Sequence, residues 1–436
     1  MCLMLLKKMD SQTLLKKTTD ITRIYEEHGN ASGLPVFTLA EWKTFLKQFP
    51  ADLEKECLVN YITENNIPFP LQEISRKEVV SKFYKLRSCP LSNFLSPTPA
   101  AITDKFNDYK YQVSEYCKTV LELGHYYNNI SNYFHQETRL RCDGYDTLSP
   151  LNTWKDAHAL KKFNWTFWRP GDIIKKIDPG AYREAFRLGA YTATQFKPHV
   201  AKYMYDRFNA KAILDSSCGW GDRLAGFYAS DAETYVGCDP NPATWNMYIE
   251  QCIFYEKLLG DDWNISKHDN YFTITGNKEV IIYCEGSENV EWPHLDYNLA
   301  FTSPPYFGTE RYAEGSNDEK QSWFKYPKYE DWLSEYLFKT LDNISKVIAV
   351  DGAIAINIID AKIKNKRYNI CDPMTEYMNS IDMPLQEVVG MRMMPRPKNE
   401  EGGNIEHMQE CFVEPIWIYS AEKANIETPF DRLFVM

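Results

Sequence analysis

Between Ala212 and Asp239 the chain reads as strand, glycine turn, helix and second strand ending in an acid, an order that few folds besides a doubly wound α/β sheet accommodate. Ala212-Ile213-Leu214-Asp215 is the first strand, and it runs into Ser216-Ser217-Cys218-Gly219-Trp220-Gly221-Asp222-Arg223. Two glycines there let the backbone approach a ligand outside the carboxyl end of a strand. The second strand, Thr234-Tyr235-Val236-Gly237-Cys238, stops at Asp239. Its separation from Gly219 is about that at which a carboxylate binds ribose hydroxyls in a nucleotide site. The glycines do not form GxGxxG, which speaks against a nicotinamide dinucleotide.

Five further strands are expected at 280–284, 298–302, 352–358, 386–391 and 413–419, the last near a sheet edge because it contains Pro415. The 280–284 strand leads into Glu285-Gly286-Ser287-Glu288, a polar strand end beside the same crevice. The 298–302 strand meets Ser303-Pro304-Pro305-Tyr306-Phe307-Gly308. Two successive prolines remove two donors and stop the strand, which leaves a hydroxyl, free carbonyls and an aromatic face for a ligand. Such a set suits a planar base whose amino group needs acceptors and whose ring needs stacking.

Residues 1–150 read as a mainly helical domain, with capping-box forms at Thr38-Leu39-Ala40-Glu41 and Ser75-Arg76-Lys77-Glu78 and a tyrosine-rich helical pattern over 109–133. Arg76, Lys77, Lys82, Lys85 and Arg87 surround the stripe Val79, Phe83 and Leu86, which fits either a groove-reading helix or a solvated surface helix. Residues 151–190 read as a linker that interleaves Lys161, Lys162 and Arg169 with Trp165 and Trp168, as at sites where bases stack. The third region is 191–436. A net charge of −11 argues against indiscriminate coating of nucleic acid, although the basic residues are weighted toward the front. Eleven scattered cysteines without a CxxC pair and eight histidines without ligand spacing predict no metal, reduced thiols and a cytoplasmic location. No apolar run reaches membrane-spanning length, and Met9 is an alternative initiator.

On these residues the region from about Tyr191 to Ser420 resembles the S-adenosylmethionine-dependent DNA amino-methyltransferases, which act on cytosine N4 or adenine N6. The resemblance implies a Rossmann-like domain with a mostly parallel seven-stranded sheet and helices on both faces, and S-adenosyl-L-methionine as cofactor. Asp215, Cys218, Gly219 and Gly221 match the glycine motif, with Ser216 and Ser217 where the family usually has Pro-Phe. Asp239 matches the ribose acid, Glu288 the adenine contact, and Thr194, Phe196 and Lys197 the segment closing over the cofactor. Ser303, Pro304, Pro305 and Tyr306 match the catalytic motif in its serine form, commonest among cytosine-N4 enzymes.

The partner implied is duplex DNA with a flipped base, as in restriction-modification systems. Phe307, Arg311, Lys325, Arg76, Lys77, Lys161, Lys162, Trp165, Arg392 and Arg396 are the candidate nucleic-acid contacts. Too few residues separate the glycine motif from the catalytic motif for an inserted recognition domain. Recognition therefore falls to the N-terminal region, the loop 309–331 and the segment 392–398. Adenine N6, an RNA or protein amide substrate, and an inactive DNA-binding protein remain the alternatives.

Overall fold

The computed structural model describes residues 10–96, 101–102, 109–163, 165, 176–312, 318–393 and 410–421. Two compact units make up the chain, Met1–Glu73 with Arg139–Ala193, and Ile74–Thr138 with Thr194–Met436. This division departs from the expected borders at 150 and 190.

The first unit is helical. The helices Ser11–Glu27, Leu39–Gln48, Ala51–Glu64 and Pro179–Gly189 enclose an aromatic core of Tyr25, Phe37, Trp42, Phe45, Trp154, Tyr182 and Phe186. The capping box at Thr38 forms, with Glu41 Oε2 accepting from Thr38 N at 2.7 Å. Residues 151–163 are not a linker. Trp154 fills the core and donates from Nε1 to Ile67 O at 2.8 Å, and Trp165, 2% exposed, meets Tyr182 edge-on at 6.0 Å. Trp165 is therefore closed to bases, because its apolar surface gains more from burial among these rings than from water.

Segment 74–138, expected with the first region, belongs to the second unit. Val79, Phe83 and Leu86 are buried, and Phe83 stacks on Tyr255 at 4.8 Å, so the stripe of the helix Arg76–Ser88 is a packing face. Part of the expected 109–133 helical pattern is strand instead.

Among the described residues ten strands form one sheet, where seven were expected: β1 (Cys117–Leu121), β2 (Ala212–Asp215), β3 (Thr234–Cys238), β4 (Asn264–Lys267), β5 (Tyr271–Thr275), β6 (Glu279–Tyr283), β7 (Tyr297–Thr302), β8 (Ile348–Asn357), β9 (Leu385–Arg392) and β10 (Val413–Tyr419). Their order is β1-β9-β10-β8-β7-β2-β3-β6-β5-β4. The ladders from β6 through β3, β2 and β7 to β8 are parallel, whereas β10 runs antiparallel to β8 and β9. Alternate strand residues serve two cores. Ile213, Tyr235, Phe301 and Ala355 pack with the helices Pro198–Arg207, Asp222–Ala229 and Pro242–Leu259. Leu214, Val236, Ala300 and Ile356 pack with the helices Lys339–Ser345 and Cys371–Ser380. Burial on both faces is what near-continuous apolar strands predict, and the fold is the expected Rossmann-like α/β sheet.

Strand β10, expected near a sheet edge, is third from the β1 end of the sheet and has a neighbour on each side. Asn357 opposite Ile416 is the last pair of β8 with β10, so Pro415 lies one residue beyond that ladder. In an antiparallel strand the N–H and C=O of one residue point the same way. The Pro415 carbonyl faces Asn357, so its missing N–H falls where no ladder bond is needed.

The chain builds outward from β2 through β3 to β6, then returns to the other side of β2 as β7. Carboxyl ends on either side of such a switch point diverge and leave a crevice. The glycine turn after β2 and the Ser-Pro-Pro-Tyr motif after β7 flank it. Trp165→Ala is expected to cost the first unit about 3–5 kcal/mol, measured by urea unfolding; a change below about 1 kcal/mol would show that Trp165 is not a core residue.

Candidate active site

The turn after β2 is built on a buried ion pair. Arg223 donates from Nε to Asp215 Oδ2 at 2.8 Å and from Nη2 to Oδ1 at 3.3 Å. Tyr235 OH adds a 2.6 Å bond to Oδ2 and Ser217 N a 3.2 Å bond to Oδ1. Asp215 is fully buried and its carboxylate is engaged by protein donors, so it shapes the turn and does not contact a ligand as expected. Cys218 is buried too, its N–H bonded to Cys238 O at 2.9 Å and its thiol pushed well up by burial.

Gly219 and Gly221 have φ of 62° and 70°, a region that strains any other residue. They serve different ends. A Cβ on Gly221 would strike Gln251 Oε1 and His135 Nε2, whereas one on Gly219 would meet nothing closer than Arg223 Nη2 at 3.7 Å. Gly221 is required by packing, whereas Gly219 has space beside its Cα. His135 Nε2 lies 2.8 Å from Gln251 Oε1, and Gln251 Nε2 donates to Gly221 O at 2.8 Å. Burial pulls the His135 imidazole down to about 4, which keeps it neutral.

Asp239 stands at the end of β3, its Oδ1 accepting from Asn241 N at 2.9 Å. Tyr248 OH bridges Asp239 Oδ2, at 3.1 Å, and Gly219 O. One hydroxyl hydrogen cannot satisfy both acceptors. Burial pushes the Asp239 carboxyl up to about 7 against the opposing bonds from Asn241 and Tyr248. Glu288 is buried after β6, with Oε1 accepting from Lys325 Nζ at 2.7 Å and Tyr326 OH at 3.3 Å, while Oε2 has no partner among the described residues. Over the glycine helix, Gln195 Nε2 donates to Asp222 Oδ1 at 2.8 Å, anchoring a segment in which Thr194 is exposed. Phe196 in that segment lies edge-on to Phe301 at 5.7 Å, and Lys197 Nζ sits 3.1 Å from His125 Nδ1.

The second half of the crevice follows β7. Ser216 Oγ donates to Thr302 Oγ1 at 3.2 Å, tying the two strand ends together. Ser303 Oγ donates to Asn357 Oδ1 at 3.2 Å, Asn357 Nδ2 donates to Glu414 Oε1 at 3.2 Å, and Tyr306 OH donates to the same oxygen at 2.8 Å. Pro304 is buried, and Pro305 is half-buried.

No protein-family model and no curated protein matches this chain. Among solved structures it is similar to a TehB-like S-adenosylmethionine-dependent methyltransferase from Corynebacterium glutamicum, at 11% identity over 56% of this chain and 95% of that one, TM-score 0.30. It is also similar to an S-adenosylmethionine-dependent O-methyltransferase from Thermotoga maritima, at 10% identity over 53% and 68%, TM-score 0.30. A third is Trm1 from Pyrococcus horikoshii in complex with S-adenosyl-L-methionine, at 11% identity over 53% and 58%, TM-score 0.31.

The candidate nucleic-acid contacts have different local surroundings. Phe307, 7% exposed, packs on Trp332 at 5.8 Å and Tyr368 at 4.9 Å, so it is core and not a base contact. Arg311 lies over the Trp323 ring at 5.3 Å, Lys325 is paired with Glu288, and Arg392 donates to Glu122 Oε1 at 2.8 Å. Arg76 covers the Phe254 ring at 5.5 Å and Lys77 is exposed. In the first unit Lys161 pairs with Glu56 at 2.7 Å and Lys162 is exposed. Arg396 lies outside the described residues, as does Trp168. Among the described residues no group of His, Cys, Asp and Glu could hold a metal ion.

Sequence reasoning missed Arg223, Tyr248, Asn357 and Glu414. A signal existed for Asn357, a lone amide in the apolar run Ala353-Ile354-Ala355-Ile356-Asn357-Ile358 at the carboxyl end of a strand. Arg223→Leu would leave the Asp215 charge buried and uncompensated, which is expected to cost about 3–5 kcal/mol, measured by thermal or urea unfolding. A loss under about 1 kcal/mol would mean that the pair behaves as an exposed one.

Proposed function

We propose that the crevice binds S-adenosylmethionine and that the chain transfers its methyl group to the exocyclic amino nitrogen of a flipped base in duplex DNA, cytosine N4 in particular. One observation carries the reading: adjacent strand ends present a left-handed glycine turn and a Ser-Pro-Pro-Tyr motif, with an acid one strand further out. The residues fit that cofactor. Gly219 has space beside its Cα for a close approach, Asp239 offers a carboxyl suited to two ribose hydroxyls, and Glu288 Oε2, unpartnered among the described residues, is an acceptor suited to an adenine amino group. Thr194, Phe196 and Lys197 lie on the segment anchored over the glycine helix and would close over the methionine end. When bound, the cofactor supplies an electrophilic methyl group on a sulfonium.

The chain's part is to position the nucleophile. A base amino nitrogen is a poor nucleophile because its lone pair is delocalised into the ring. Hydrogen bonds from that amino group to Ser303 Oγ and the Pro304 carbonyl favour a more tetrahedral nitrogen with its lone pair free. Orientation of this kind lowers the barrier by several kcal/mol, and the two acceptors face the positive charge that develops on nitrogen. A base inside a duplex must first be flipped, at a cost of a few kcal/mol. Stacking on the Tyr306 ring, about 1–3 kcal/mol, offsets part of that, and the Tyr306–Glu414 bond holds the ring in place. The serine in the motif favours cytosine over adenine on the resemblance of Ser303-Pro304-Pro305-Tyr306 to cytosine-N4 enzymes.

Incubation with labelled S-adenosylmethionine and duplex DNA, RNA or protein in parallel, followed by nucleoside digestion, is expected to yield N4-methylcytosine in DNA. N6-methyladenine alone would overturn the base, and label confined to RNA or protein would overturn the DNA substrate. No label in any arm would favour an inactive binding protein.

Donation from ribose hydroxyls favours ionised Asp239, whose carboxyl stands near pH 7. Cofactor affinity is therefore expected to be about tenfold higher at pH 8 than at pH 6, with protons released on binding below pH 7. Asp239→Asn is expected to flatten that dependence in calorimetry, and an unchanged slope would exclude Asp239.

A further inference from the structure

The hydrogen bonds around Ser303 have a direction. An asparagine amide offers two donors on nitrogen and acceptors on oxygen only. Asn357 Nδ2 faces Pro415 O at 3.1 Å and Glu414 Oε1 at 3.2 Å. A backbone carbonyl can only accept, and Glu414 Oε1 already accepts from Tyr306 OH at 2.8 Å. Turning the amide over would set oxygen against oxygen at both places, inside a site where Asn357 is buried and such a conflict is costly. Only one orientation is satisfied, and in it Oδ1 faces Ser303 Oγ at 3.2 Å.

Ser303 has a single hydroxyl hydrogen. Once that hydrogen is committed to Asn357, Oγ presents lone pairs alone to the crevice. We propose that Asn357 and Glu414 are positioning residues that fix Ser303 as a hydrogen-bond acceptor, so that the crevice selects a substrate nitrogen bearing hydrogens over a ring nitrogen or carbonyl oxygen. The inference deepens the methyl-transfer reading and rests on it.

Register gives the device its rigidity. Thr302 pairs with Ile356 across β7 and β8, which sets Ser303 beside Asn357, and Asn357 pairs with Ile416 across β8 and β10, which brings Pro415 and Glu414 to the same strand end. Burial raises the Glu414 carboxyl, opposed by the bonds from Tyr306 and Asn357 and by the charge of Lys197. Both donors use Oε1, so a proton taken up by Glu414 would sit on Oε2 and leave the order of donors intact.

A double-mutant cycle on the full chain tests this, using single-turnover methyl transfer to duplex DNA and cofactor affinity by calorimetry. Ser303→Ala and Asn357→Leu are each expected to slow transfer by about 10²-fold, with the cofactor dissociation constant unchanged within about twofold. The double variant is expected to be no slower than Ser303→Ala alone, because Asn357 acts through Ser303. Glu414→Leu is expected to lose rate in the same way, and Glu414→Gln, whose amide oxygen can accept from both donors, to recover most of it. Losses that multiply in the double variant would overturn the proposal, since independent structural damage is additive in free energy. If Asn357→Leu fails to fold, Asn357→Ala in the wild-type and Ser303→Ala backgrounds completes the same cycle. A wild-type chain that binds cofactor yet transfers methyl to neither DNA nor RNA would overturn the functional reading and the proposal with it. Additive losses in an active enzyme would remove the proposal alone.

Discussion

The Arg223–Asp215 pair is the interaction on which the crevice depends. Two opposite charges removed from water gain stability only where geometry and further hydrogen bonds are good, and here Arg223 meets both carboxylate oxygens while Tyr235 and Ser217 supply additional donors. The partners come from the end of β2, the helix after it and strand β3, so one cluster locks three elements around the glycine turn. That rigidity lets Gly219 and Gly221 keep left-handed φ angles. Gly237 contributes on the neighbouring strand, where a Cβ would strike Cys218 Sγ and lie 3.0 Å from Asp215 O.

The other wall of the crevice has a different origin. A sheet that continued in parallel past β8 would place no strand entry beside Ser303. The antiparallel β10 starts where β7 and β8 end, and so delivers Glu414 and the Pro415 carbonyl to the active face. Topology thus turns a pair of acceptors into an orienting frame for Asn357, and Asn357 into one for Ser303.

Much of this was legible from local pattern. Strands β2 and β3 fall at the expected residues, and the glycine turn and proline motif lie where alternating strands and helices placed them. Contacts distant in sequence were less legible. Trp165 reads like a base-stacking residue because basic neighbours flank it, but its environment is set by Trp154 and Tyr182. The stripe Val79, Phe83 and Leu86 has the same form whether it faces solvent or Tyr255. Strand β1 arose in a stretch with helical composition because β9 offered an edge to pair with, a tertiary override of local preference. Pro415 misled because a proline's fitness in a sheet depends on which neighbour its missing N–H faces. Asp215 looked like a ligand contact, and only its partners reveal a structural charge.

A crystal structure of the chain with S-adenosylhomocysteine is the most direct measurement of the account. It is expected to find the ribose hydroxyls on the Asp239 carboxylate, the adenine amino group on Glu288 Oε2, and the sulfur between the Gly219 turn and Ser303. A nucleoside bound away from Asp239, or a sulfur facing away from Ser303, would contradict it.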